Sequence, residues 1–466
     1  MGALLLGGAL PIGCGPRPEP TSSGLTAPGR FREGTDAPAR WPDPDWWRGF
    51  NAPELDRLMA RAAAQNLDLA AAAARVRQAD ANLRITGASL FPSITTGGDA
   101  GRSRPAGANG VRGQGRNSFQ ISLGASYEVD FWGRNRNATE AARQSLRARE
   151  FDLGTVLLTT EASVANTYFT ILEAQEELRV QEANLRAARQ ILTVIRSQVT
   201  GGTATGLDLA QQETVVAQQE AAVPPLRQTV AQNIAALATL VGVPPVDLEI
   251  AGQGLERIRV PDVSPGLPSE LLARRPDVLS AEADLAGANA NIAAARAALL
   301  PSITLSAQGG YQAALLGTLL RPEALFYSIA ASLVQTVFDG GELRGRVALS
   351  RAQAEELLAN YRLAILTAFE EVDSALAGLR ETTDQDRLLR EAASRAERAY
   401  SIAEGQLRGG VINLITLLNV QQTLFTARRN VTRGQLQRLQ AAVGLFRALG
   451  GGWGPGVPVA RAEGSR

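Results

Sequence analysis

Histidine and lysine are absent from this 466-residue chain, cysteine occurs once, and aromatic residues make up only 5%. Without histidine there are no imidazole triads, no imidazole acid–base steps and no histidine metal sites. A single cysteine, Cys14, forms neither an internal disulfide nor a thiolate metal cluster. No GxSxG elbow, Walker loop or GxGxxG turn is present. Enzymatic chemistry would rest on carboxylates alone, and these are spread through helix-like stretches, where solvated faces account for them. No enzyme, cofactor or metal is expected. The formal charge of +1 provides no field to draw nucleic acid. What the chain has in plenty is Ala, Gly, Leu and Gln, which suit long helices packed through small residues.

Residues 3–12 form an apolar run far too short to span a bilayer as a helix. The run closes on Pro11-Ile12-Gly13-Cys14-Gly15. It resembles a bacterial lipobox, which implies that residues 1–13 are a lipoprotein signal peptide and that Cys14 is acylated. The alternative is a buried or incidental cysteine. Residues 14–45, rich in Pro, Gly, Ser and Thr, read as an extended tether that buries nothing.

The chain repeats itself. Ala79-Asp80-Ala81-Asn82-Leu83 and Phe91-Pro92-Ser93-Ile94-Thr95 recur as Ala288-Asn289-Ala290-Asn291-Ile292 and Leu300-Pro301-Ser302-Ile303-Thr304. Gly201-Gly202 with Leu207 recurs as Gly409-Gly410 with Leu414, so the offset stays at 207 to 209. Two copies of one unit follow, residues 46–250 and 251–450, with a flexible tail at 451–466. Each copy has a helix, two strands, a very long helix, a Gly-Gly turn and a returning helix.

Period-2 alternation marks the strands. Phe119, Ile121, Leu123, Ala125, Tyr127 and Val129 alternate with Gln120, Ser122, Gly124, Ser126 and Glu128. Strands are expected at about 93–101, 118–132, 302–312 and 326–338. One apolar and one polar face over about ten residues suits a membrane barrel strand. Such a sheet must close in lipid, and four strands are too few, so three chains giving twelve are inferred from geometry.

Long helices are expected at about 135–200, 207–241, 342–408 and 414–449. Residues 135–200 contain no proline and one glycine, a length of about 100 Å as helix. Tyr361, Ile365, Ala368, Val372, Ala375 and Leu379 step by three and four, as in a coiled-coil seam. Pro224-Pro225 places a kink or break in the first returning helix.

Four further stretches carry a family resemblance. They are Trp46-Trp47-Arg48-Gly49-Phe50 with Leu55-Asp56-Arg57-Leu58; Leu272-Ala273-Arg274-Arg275-Pro276-Asp277-Val278; Ala295 through Ile303; and Ala448-Leu449-Gly450-Gly451-Gly452-Trp453. In this order they resemble the TolC superfamily of outer-membrane factors, in its NodT/OprM-like efflux lipoprotein branch. The resemblance implies a homotrimer: a twelve-stranded transmembrane β-barrel, four strands per chain, above a long α-helical barrel in the periplasm. It implies lipid anchoring in the outer membrane of a Gram-negative bacterium. It also implies a passive exit duct fed by a periplasmic adaptor (membrane fusion protein) and an inner-membrane RND-type efflux transporter. A duct for type I protein secretion and a structural coiled-coil envelope lipoprotein are the alternatives.

The same resemblance assigns sites. The periplasmic tips, Gly202, Gly206 and Leu207 with Gly410, Val411 and Leu414, are expected to touch the adaptor. The gate falls at Ile415, Thr416, Asn419 and Gln422, with Asp208 on the first tip. Relatives commonly carry Asp where Asn419 stands and Arg where Gln422 stands, so the gate is expected to close without a charged lock.

Overall fold

A computed structural model describes residues 21–34, 40–104, 115–252 and 254–453. Cys14 and its lipobox lie outside the described residues, as does most of the expected tail.

The elements run α1 (Pro53–Gln65), α2 (Leu67–Gly87), β1 (Ser93–Ser103), β2 (Arg116–Glu128), α3 (Arg134–Thr200), α4 (Gly206–Ala221), α5 (Val223–Val241), α6 (Pro268–Leu271), α7 (Pro276–Ala297), β3 (Ser302–Ala313), β4 (Leu325–Val334), α8 (Glu342–Arg408) and α9 (Leu414–Ala448). Elements α2, β1, β2, α3 and the α4–α5 pair reappear 208 or 209 residues later as α7, β3, β4, α8 and α9. The chain divides into two compact units. One holds residues 75–150 and 280–362, with the sheet; the other holds 25–74, 151–279 and 363–453.

Helices α3 and α8 each hold 67 residues, about 100 Å of helix. The Pro pair acts as the sequence indicates. Pro224 and Pro225 offer no N–H to the carbonyls one turn back, and helical bonding is interrupted at Ala222. Ala222 keeps helical angles, φ −78° and ψ −16°, so the interruption is mild. Residues 432 and 433 in the second copy are Thr and Arg, and α9 runs through uninterrupted.

The strands pair in sequence order, β1-β2-β3-β4, all antiparallel. Two run shorter than their alternation suggests. β2 stops at Glu128, because the chain turns through Gly133 at φ 82°. β4 stops at Val334, ahead of the turn at Gly340 and Gly341.

The second unit is held by a core drawn from both ends of the chain. Trp46 stacks on Phe446 at 5.2 Å, Phe50 lies 5.2 Å from Phe169, and Leu55, Leu58, Ile171, Leu172, Leu237 and Val443 fill the remainder. Two segments expected to be loose are packed. Phe31, in the expected tether, is only 3% exposed and meets Phe369 edge-on at 6.4 Å. The Glu33 amide donates to Asp373 at 3.1 Å, and the Glu33 carboxylate pairs with Arg380 at 2.5 Å. Residues 31–33 are therefore fastened to α8, against the reading of 14–45 as a segment that buries nothing. Trp453, placed in the expected tail, meets Phe151 edge-on at 5.8 Å. The three preceding glycines all have positive φ, and a Cβ on Gly452 would lie 2.2 Å from the Asp43 backbone.

Glu161 sits beside Leu157, Leu158, Trp47, Gly451 and Trp453. Burial pushes its carboxyl up from 4.5 to about 8, and Asp45 adds to the rise. The nearby Trp46 indole lowers it somewhat, although its Nε1 makes no well-formed hydrogen bond. A carboxyl raised in this way gives its full stabilisation below its unfolded value and loses it as pH climbs through about 8. Glu173, raised to about 7 by burial and by Glu177, drifts in the same direction. The thermal midpoint of the purified protein should therefore fall between pH 5 and pH 8, and Glu161→Gln should flatten most of that slope. An unchanged slope in the variant would refute this assignment.

Candidate functional site

Two regions can carry function: the two faces of the sheet, and the hairpin tips at the ends of α3 and α8.

The register sorts side chains by chemistry. Ile94 pairs with Ala125, Ala125 with Ala307, and Ala307 with Ile329; Tyr127 pairs with Leu305, and Leu305 with Ala331. On the other face Thr95 meets Gly124, Ser126 meets Ser306, and Gln308 meets Ser328. Residues opposite each other in a ladder share a face, so one face is mainly apolar, with Thr96, Arg102 and Asn117 as exceptions toward β1, and the other is mainly polar, with Asp99, Arg116 and Glu128 as its charges. The apolar face is uncovered along β4: Tyr327 is 83% exposed and Ile329 82%. No described helix is long and apolar enough to cross a membrane. Strand β4, Leu325–Val334, carries no charge or proline, and its side away from β3 has no strand partner among the described residues. A bare, uncharged edge of this kind is a ready template for another strand.

The two tips are built alike. At the end of α3, the Thr203 amide donates to the Gln198 carbonyl and the Gly202 amide to the Val199 carbonyl. At the end of α8, Val411 donates to Gln406 and Gly410 to Leu407. These are Schellman caps with glycine in the left-handed position, at φ 76° and φ 70°. The returning helices are then capped at equivalent residues. Thr205 accepts from the Asp208 amide at 3.2 Å, while the Asp208 carboxylate accepts from the Thr205 amide at 2.8 Å. Asn413 accepts from the Thr416 amide at 2.9 Å and from the Thr416 hydroxyl at 2.8 Å. Asp208, expected at the gate, thus belongs to a capping box, and the Thr205 backbone N–H holds its carboxyl below the usual carboxylate range.

Of the expected tip residues, Leu207 and Val411 are exposed, while Gly202, Gly206 and Gly410 face open space. Leu414 corrects the expectation. It is 4% exposed and packed with Ile191, Ile195, Leu407 and Leu417, so it holds the hairpin together and is not offered to a partner. Gly206 has ordinary backbone angles and could carry a side chain without strain. The expected gate residues lie together: Ile415, Asn419 and Gln422 follow each other at helical spacing on α9, and all three are exposed with Thr416. No carboxylate stands on that stretch.

The outer membrane efflux protein family model matches residues 58–243 and again 267–451. The chain belongs to this family. The double match falls on the two copies of the internal repeat. The chain is 40% identical over 451 residues to the pyoverdine export outer membrane protein OpmQ of Pseudomonas aeruginosa, covering 94% of each. It is 31% identical to the toluene efflux pump outer membrane protein TtgC of Pseudomonas putida, covering 88% of this chain and 85% of that one. Among solved structures, the outer-membrane channel OprN superposes with a TM-score of 0.88 at 26% identity, covering 95% and 99%. As a member of the efflux family this chain is an outer-membrane channel protein and not an enzyme.

Sequence reasoning passed over several residues that shape these regions. The capping box Thr205-x-x-Asp208 was legible as a motif. Arg275, read only as part of a family stretch, proves to tie three helices together. Phe31 and Glu33 carried no signal, since their partners on α8 lie more than 300 residues away.

Proposed function

We propose that three copies of this chain form the outer-membrane exit duct of a tripartite, RND-type efflux pump. The observation that carries this reading is the sheet: one mainly apolar face, one mainly polar face and an unprotected β4 edge. An even number of antiparallel strands lets β4 of one copy pair antiparallel with β1 of the next, and three copies close a ring of twelve. Lipid then covers the apolar face and water the polar one. The efflux relatives favour this over protein secretion, and a mere spacer has no use for such a sheet. The relatives at 40% identity are pyoverdine export proteins, so pyoverdine is the substrate to test first. Acylation of Cys14 supplies a second hold on the membrane, and the mass of the mature N-terminal peptide tests it.

The tips dock a helical adaptor through Leu207, Val411 and the open surface at Gly206. Because Gly206 tolerates a side chain, Gly206→Trp should abolish export while leaving trimers intact. Unimpaired export by that variant would move docking elsewhere.

The gate closes around Ile415 and Asn419 without a charged ring. Charge in a narrow pore concentrates counter-ions, so its absence leaves cation preference weak. Bilayer recordings of the purified protein should show a conducting channel of low ion selectivity, and Asn419→Asp should raise cation preference. A non-conducting protein would overturn the duct. Equal, strong cation selectivity in both forms would displace the constriction from α9.

A further inference from the structure

The two ends of the sheet differ in charge. At the end next to the helices opposite charges are paired, Arg134 with Glu128 at 3.1 Å and Arg136 with Asp130 at 3.2 Å. At the far end that balance is gone. From Ala100 through Tyr127 the sequence holds four arginines, at 102, 104, 112 and 116, and no carboxylate. The whole chain carries a formal charge of only +1. Two of the four end the strands, and the register puts them on opposite faces. Arg102 pairs with Asn117, in line with Ala100–Phe119 and Gly98–Ile121 on the apolar face. Arg116 pairs with Ser103, in line with Asp99–Gln120 on the polar face. Arg102 is exposed, and it is the only charge that the four strands place on the apolar face. Asp99, the one acid of β1, lies on the other face.

We propose that Arg102, with the Asn117 amide beside it, binds the phosphate of a lipid headgroup in the outer leaflet of the membrane. This rests on the reading of the sheet as part of a membrane barrel with its helices in the periplasm, which puts the far end of β1 on the outer side. Depth supports the site. Ten residues of β2 separate Tyr127 from Asn117, about 34 Å of strand, or about 26 Å along the membrane normal at a tilt of about 40°. The apolar band of a barrel is about 25 Å tall and is bounded by aromatic rings. Tyr127 lies toward its lower edge and Phe119 toward its upper edge, so Arg102 falls just past the band, at the level of the headgroups. An arginine costs most at mid-bilayer and little at the interface, where its stem lies on apolar surface and its head reaches outward. The chemistry fits the same ligand. A guanidinium forks onto phosphate oxygens through two parallel N–H donors. Residues facing each other across a ladder have Cβ atoms about 5 Å apart, so Asn117 offers a further donor to the same anion. The other arginines of this end raise the local potential without having to touch the headgroup.

The test is native mass spectrometry of the purified full-length protein in nonionic detergent, titrated with diphosphoryl lipid A. Arg102→Gln should weaken binding about five-fold, and Arg102→Lys, which keeps the charge, by less. Arg116→Gln removes the same charge from the same end but from the polar face, and should leave binding unchanged. Dephosphorylated lipid A should bind the wild type no better than the phosphorylated lipid binds Arg102→Gln. Unchanged binding by Arg102→Gln overturns the site, and so does an equal loss in Arg116→Gln, which would mark a diffuse field. Inorganic phosphate in excess should leave the lipid bound; displacement would make Arg102 a free-anion site and overturn the lipid assignment. Bilayer conductance of the same preparations tells this failure from that of the duct. A conducting wild type with no preference for the phosphorylated lipid loses only the site, whereas a non-conducting one loses the duct and the site with it.

Discussion

Ile329→Arg should remove folded protein from the outer membrane, whereas Ser328→Arg, one residue earlier on the same strand, should leave it assembled. Ile329 sits mid-strand on β4, opposite Ala307, on the apolar face, and is 82% exposed. Ser328 sits opposite Gln308 on the polar face. An arginine facing lipid near the bilayer midplane costs about 2–4 kcal/mol, and a trimer incurs that cost three times. One facing a water-filled lumen remains hydrated. Outer-membrane fractionation, followed by assay of the protease-resistant trimer, reads the difference. If both variants assemble equally well, the apolar face does not face lipid, and the barrel reading goes with it.

Arg275→Met should lower stability by about 1–3 kcal/mol, the scale of losing charge-assisted hydrogen bonds whose carboxylate partners, Asp277 and Glu371, remain partly open to water. The Arg275 side chain is 8% exposed. Its Nε and one terminal nitrogen bond both oxygens of Asp277, at 3.0 and 2.6 Å. The other terminal nitrogen bonds Glu371 at 2.6 Å and the Ala448 carbonyl at 3.3 Å. One guanidinium thus joins the start of α7, the middle of α8 and the last turn of α9. Lysine cannot reproduce the paired bonds to Asp277, so Arg275→Lys should recover only part of the loss. Replacing Arg275, Asp277 and Glu371 together by apolar residues should recover more, since no half-buried carboxylate is then left without its partner. Thermal unfolding midpoints compare the four proteins. A wild-type midpoint for Arg275→Met would show that water already satisfies the cluster.

The fold was largely legible where a pattern is local and repeated. Alternation from Phe119 to Tyr127 gives a strand and its faces, and proline-free stretches give α3 and α8. The duplication marks equivalent turns. Strand ends were less legible, because Phe131 and Phe338 continue the apolar pattern beyond Glu128 and Val334, where the strands stop ahead of the turning glycines. Directions were least legible of all. Leu414 and Val411 lie three residues apart beside the same turn, yet one is buried and the other 72% exposed. That difference is set by Ile191 and Ile195 on α3, more than 200 residues earlier in the chain. The tether reading failed for the same reason: composition describes Pro- and Gly-rich backbone well, but not a single ring that finds Phe369.

The uncharged edge of β4 has a consequence for kinetics as well as architecture. If each sheet is completed only by its neighbours, a solitary subunit has no finished barrel to insert, and the free energy of that barrel contains the protomer concentration. Halving expression would then reduce the yield of channels more steeply than in proportion, with a reaction order approaching three at low supply. Meanwhile every unassembled copy carries a ten-residue adhesive strand. Such a protein is governed by the traffic of its subunits to one another, and a shortage of partners would appear first as aggregation and only later as lost export.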